Sequence, residues 1–111
     1  MTDKAQKLSN QQLKQFRSIA HNLKPVVTVA QNGLAESVMK EIDRALTQHE
    51  LIKVKVQVGD RELRQQAITE ICSLSGAERV QSIGNIAVLF RAARQPDPKL
   101  SNLLRHGQTG N

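Results

Sequence analysis

From Leu51 to Val58 the chain alternates with a period of two: Ile52, Val54, Val56 and Val58 are apolar, and Lys53, Lys55 and Gln57 between them are polar. Successive side chains on a strand point to opposite faces, so this stretch reads as a strand with one face in a core and the other in water. On either side of it the apolar period becomes that of a helix. Leu34, Val38, Ile42, Ala45 and Leu46 precede it, and Leu63, Ala67, Ile71 and Leu74 follow it. Strands joined through helices need crossover connections, which make them parallel neighbours or near neighbours in one sheet.

The flanking segments extend this pattern. Ser9, with Gln12 in capping-box position, opens a first helix with Leu13, Phe16, Ile19, Ala20 and Leu23 on one face. Pro25 is expected to end it, because the residue before a proline is driven out of the α region. Val26, Val27 and Val29 form a short strand whose nearly continuous apolar character predicts an interior place in the sheet. Asp60 is placed to cap a third helix that stops at Gly76. Val80 and Ile83 mark a strand, Gly84-Asn85 a two-residue hairpin turn, and Ile86 to Arg91 the last strand, the hairpin as a whole adding an antiparallel edge to the sheet.

The predicted order is α-β-α-β-α-β-β: an α/β domain over residues 8–91 with a four-stranded mixed sheet and three helices. Residues 1–7 are expected to fray. Residues 92–111, with the linker Gln95-Pro96-Asp97-Pro98-Lys99, read as a mobile basic tail in which Leu100, Leu103 and Leu104 are spaced for a short amphipathic turn.

The formal charge of +6 is unevenly spread. Residues 1–25 carry Lys4, Lys7, Lys14, Arg17 and Lys24 against Asp3 alone, and residues 91–111 carry Arg91, Arg94, Lys99 and Arg105 against Asp97. Residues 26–90 are balanced, with seven bases and eight acids. At 100° per residue, Lys14, Arg17, His21 and Lys24 gather in a narrow arc on the first helix, a basic stripe of the kind that meets a polyanion. Phe16 and Phe90 are the only aromatic residues. Modules that stack bases on exposed rings are therefore disfavoured, and a nucleic-acid partner has to be held through its backbone. The turn Ala30-Gln31-Asn32-Gly33, between the first strand and the second helix, offers the N–H groups of a helix start to phosphate oxygens, and Lys40 adds to the surrounding positive field.

Catalysis finds little support. His21, His49 and His106 are far apart, with no metal-ligand spacing, and no phosphate-binding Gly-x-x-x-x-Gly-Lys-Ser/Thr motif occurs. Cys72 neighbours Ile71 and Leu74 and reads as a small buried thiol. The carboxylates lie on helix surfaces beside bases, as in Glu36 and Lys40 at i,i+4. No cofactor, metal or small-molecule substrate is implied. The single cysteine, the absence of a membrane-length apolar run and an N-terminus without an apolar leader segment place the chain in the cytoplasm as an expectation. The alternative to RNA binding is a protein-interaction module that docks on ribosomal proteins or self-associates, using the tail leucines or an edge strand.

Four strings resemble the CRM domain in its stand-alone bacterial form, called YhbY: Ile19-Ala20-His21-Asn22-Leu23-Lys24-Pro25-Val26-Val27, Gln31-Asn32-Gly33-Leu34, His49-Glu50-Leu51-Ile52-Lys53-Val54-Lys55, and Ile83-Gly84-Asn85-Ile86-Ala87-Val88-Leu89-Phe90-Arg91. The resemblance implies a fold similar to the C-terminal domain of the third bacterial initiation factor. It also implies RNA binding and association with precursor large-subunit ribosomal RNA. In that family the loop after the first strand is a Gly-x-x-Gly motif, like the one with which KH domains clamp a nucleic-acid backbone. Its positions here are Ala30, Gln31, Asn32 and Gly33, so the first glycine is replaced. If that position requires a positive φ, alanine is strained by about 1 kcal/mol; if it takes strand angles, the change is harmless.

Overall fold

The structure, a computed structural model, describes residues 8–30 and 34–103. Its elements are α1 (Asn10–Ala20), β1 (Pro25–Val29), α2 (Glu36–His49), β2 (Leu51–Val56), α3 (Arg61–Ser75), β3 (Glu78–Ile83) and β4 (Ile86–Phe90). The sheet runs β1-β2-β4-β3, with β1 parallel to β2 and β4 antiparallel to both β2 and β3. The α/β order, the four-stranded mixed sheet and the three helices are as the sequence predicts.

The closing hairpin adds the expected antiparallel edge with β3 outermost: β4 inserts between β2 and β3, and Ala87, Val88 and Leu89 are buried. One strand position differs. β1 is an edge strand rather than an interior one, with Val27 and Val29 buried and Val26 48% exposed. A run of three apolar residues within five reads as buried on both faces, but only one face of β1 is covered.

The sheet carries helices on both sides. α2 and α3 cover one face, where Ile42, Leu46, Ile68 and Ile71 meet Val29, Ile52, Val54, Val56, Ala87 and Leu89. On the other face α1 places Phe16 and Ala20 against Leu51, Val80 and Val88. The alternate face of β2 is therefore not wholly wet, since Leu51 is fully buried beneath α1 and Lys53 and Lys55 are half-buried. The rings of Phe16 and Phe90 pack at 4.8 Å with a 42° tilt within this smaller core.

Ser9 caps α1 as predicted: its hydroxyl accepts from the Gln12 backbone N–H at 3.1 Å, and the Gln12 side chain accepts from the Ser9 N–H at 3.0 Å. Ser9→Ala is expected to lower stability by about 1 kcal/mol, measured as a shift in the urea midpoint at unchanged m. α1 stops at Ala20, earlier than Pro25 requires, and His21 and Asn22 form a turn. On α3 the buried residues are Ile68 and Ile71, while Leu63 and Leu74 are 49% and 62% exposed. The inward face is thus rotated from the expected line, and leucines in the first and last turns lie beyond the layer that α3 covers. The Glu36–Lys40 pair is not formed; among the described residues the ion pair is Arg91 with Asp43 at 2.8 Å.

A single residue, Glu50, connects α2 to β2. It has φ 64°, the one positive φ among the described non-glycine residues. Its carboxyl group is buried, and accepts from the Ala93 N–H at 2.7 Å and from the Ser101 hydroxyl at 2.6 Å. The segment after β4 returns to this junction. Asn102 Nδ2 donates to the Leu51 carbonyl at 2.7 Å, His49 Nδ1 donates to the Leu100 carbonyl at 2.8 Å, and Leu103 packs on the α1 core. Ser101 and Asn102 are buried, so the described part of the tail lies against the domain and not apart from it as a linker.

Candidate nucleic-acid interface

α1 and its following turn are rich in bases and contain no acid; β2 adds Lys53 and Lys55, and β1, β2 and β4 contain no acid either. α2 and α3 together carry four bases and five acids. Because α1 lies on one face of the sheet and α2 and α3 on the other, the domain is electrically two-sided. The face bearing α1 presents Lys14, Arg17, Lys24, Lys53 and Lys55 with no compensating carboxylate from those elements.

These cations differ from Arg91, Arg79 and Arg64. Arg91 is spent on structure, donating to Asp43, Thr47 and the Ser75 carbonyl, and so ties β4 to α2 and α3. Arg79 donates to Gln65 and Thr69 of α3, and Arg64 to the Val58 carbonyl. The side chains of Lys14, Arg17, His21, Lys24, Lys53 and Lys55 make no hydrogen bond or ion pair with a described residue.

Arg17, His21 and Lys53 line a common hollow of about 320 Å³ on the open part of the sheet beside α1, with Gln81, Ile83 and Ile86 completing its wall and floor. Lys53 was legible only as a polar residue on a strand; what brings it to Arg17 and His21 is α1 lying across the β2 face. Lys55 continues the row along β2 and is paired in register with Thr28. β1 then ends at Val29, beside Val56, and leads into Ala30.

Of the other predicted residues, Lys24 is exposed in the turn before β1, beyond the end of α1. Lys40 is exposed on α2, on the layer behind the sheet, and does not join the others. Ala30 is exposed, and Gln31, Asn32 and Gly33 lie outside the described residues.

Cys72 is half-buried, and burial pushes its thiol above the ordinary value, with Arg79 opposing and Glu78 assisting. A raised pKa leaves less thiolate near neutrality. Alkylation by iodoacetamide should run at least about tenfold slower in the folded protein than in the urea-unfolded chain. Among the described residues no cluster of His, Cys, Asp or Glu is placed to hold a metal, and no helix is long and apolar enough to cross a membrane.

The CRS1/YhbY (CRM) domain model matches residues 8–91. The chain belongs to the CRM domain family. A protein of Pseudomonas aeruginosa named as a probable RNA-binding protein is 48% identical over 98 residues, covering 88% of this chain and 94% of that protein. An RNA-binding protein of Haemophilus influenzae is 47% identical over 88 residues, covering 79% and 89%. The solution structure of a Staphylococcus aureus protein shares the fold with a TM-score of 0.73 at 28% identity, covering 86% of this chain and 98% of that one. In this CRM domain Ala30 does not have a positive φ. Ala30 therefore carries none of the strain that a positive φ would impose on it.

Proposed function

We propose that this CRM domain is a cytoplasmic RNA-binding protein that takes the backbone of structured RNA on the α1 side of its sheet and acts on precursor large-subunit ribosomal RNA during ribosome assembly. The observation that carries the reading is the convergence of Arg17, His21 and Lys53 from α1 and β2 on one hollow with no acid in its lining, in a family whose relatives are named for RNA binding. Phosphates meet Lys14, Arg17, Lys24, Lys53 and Lys55, and the backbone N–H groups of the segment from Ala30 to Gly33, which follows β1 in the sequence, serve as further donors. Lys40 stands outside this surface. Binding is non-catalytic, since the groups on this face are donors without a paired acid, base or nucleophile.

Counterion release sets the test. With about five phosphates neutralised, log affinity for structured ribosomal RNA should fall against log salt with a slope of about −4. Tight binding indifferent to salt would instead support a protein partner. Cross-linking in cells followed by sequencing of attached RNA should give a peak on precursor large-subunit RNA; reads scattered over all transcripts would overturn that assignment.

A further inference from the structure

The hollow beside α1 contains more than a phosphate site needs. Ile83 is 64% exposed, the most exposed large apolar side chain among the described residues, and it stands opposite Ile86 at the end of the β3–β4 hairpin. An apolar floor offers a phosphate or a ribose hydroxyl nothing, and paired A-form RNA keeps its base faces inside the helix. A register shift between Arg79 and Gln81 interrupts the β3–β4 ladder, and Val80 packs under α1 while the next residue, Gln81, lines the hollow. Such bulges re-aim side chains. The Gln81 side chain can both donate and accept, and it makes no hydrogen bond with a described residue. The volume, about 320 Å³, lies at the low end for ligand sites and excludes a duplex.

We propose that this hollow receives one unpaired nucleotide of a bound RNA, its base laid on Ile83 and Ile86, its polar edge at Gln81, and its flanking phosphates at Arg17, His21 and Lys53. The two aromatic rings are packed against each other under α1, so the platform is aliphatic. This rests on the RNA-binding reading and adds that the protein distinguishes a bulged or looped nucleotide from continuous duplex.

The test uses the full chain and a set of RNA hairpins with one stem sequence, either fully paired or carrying a single bulged A, G, C or U, with affinity read by anisotropy at fixed salt. At least one bulged hairpin should bind about tenfold more tightly than the paired one, a difference of about 1.4 kcal/mol. Ile83→Ala and Gln81→Ala should each reduce that preference to about twofold while leaving affinity for the paired hairpin unchanged. Arg17→Ala should weaken both hairpins together. Circular dichroism checks that each variant is folded. Salt-sensitive binding with equal affinity for every hairpin overturns this inference and leaves the RNA-binding reading standing, as does a bulge preference that survives both Ile83→Ala and Gln81→Ala. Absence of RNA binding by the unaltered protein overturns both.

Discussion

Replacing Arg17 and Lys53 together with alanine is expected to weaken binding to structured ribosomal RNA by between about thirtyfold and a hundred-and-fiftyfold, the loss of two charge-assisted contacts worth about 1–1.5 kcal/mol each. The salt dependence should become shallower by about 2, one phosphate for each cation removed. Both side chains line the hollow and bond to no described residue, so the double variant should unfold at nearly the same urea concentration as the parent. The matched control lies on the other layer. Arg44 and Arg61, exposed on α2 and α3, carry the same total charge, and Arg44→Ala with Arg61→Ala should change affinity by no more than about twofold. Equal losses from the two double variants would show that net charge alone governs binding and would remove the α1 face from its assigned role.

The largest effect on stability is expected at Glu50. Glu50→Ala leaves the Ala93 N–H without its acceptor, removes the bond that the Ser101 hydroxyl donates to the carboxylate, and keeps a β-carbon at φ 64°. A buried donor deprived of its partner costs about 1–3 kcal/mol, so the variant should lose about 2–4 kcal/mol in urea unfolding. Glu50→Gly loses the same bonds but relieves the backbone, and should recover about 1 kcal/mol of that loss. The comparison separates the two causes. If the glycine variant is no more stable than the alanine variant, the backbone at this junction carries no strain.

The alternation from Ile52 to Val56 and the capping residues Ser9, Asp60 and Gly76 were legible because each depends on neighbours within a few positions. The same locality explains the failures. Nothing in Val26, Val27 and Val29 tells that β4 comes to lie beside β2 and leaves β1 at the edge. Periodicity shows which residues of a strand share a face, not what lies over that face. Lys53 therefore reads as a wet position until α1 is laid across Leu51. For the site, the stripe of Lys14, Arg17 and His21 was readable along one helix, but the meeting of Arg17 and His21 with Lys53 and Gln81 joins segments dozens of residues apart. Glu50 gave no sign of its positive φ, since glutamate is not a residue that signals a turn, and its partners come from the far end of the chain. Lys40 was grouped with the stripe by charge alone, and the sheet separates them.

The place of β4 also has a consequence for how the domain comes into being. It is the last strand in the sequence and an inner strand of the sheet, carrying the fully buried Ala87 and Leu89. While the chain is being made, β1 and β2 can pair, but β3 has no neighbour until Ile86 to Phe90 have emerged, and the layer under α3 stays open until then. Pairings between segments distant in sequence form slowly, and exposed apolar surface with unpaired strand edges invites aggregation in the interval. The sheet is thus completed only when its last strand has emerged, and a chain cut before Ile86 would be left with β1 paired to β2 and with β3 lacking its neighbour.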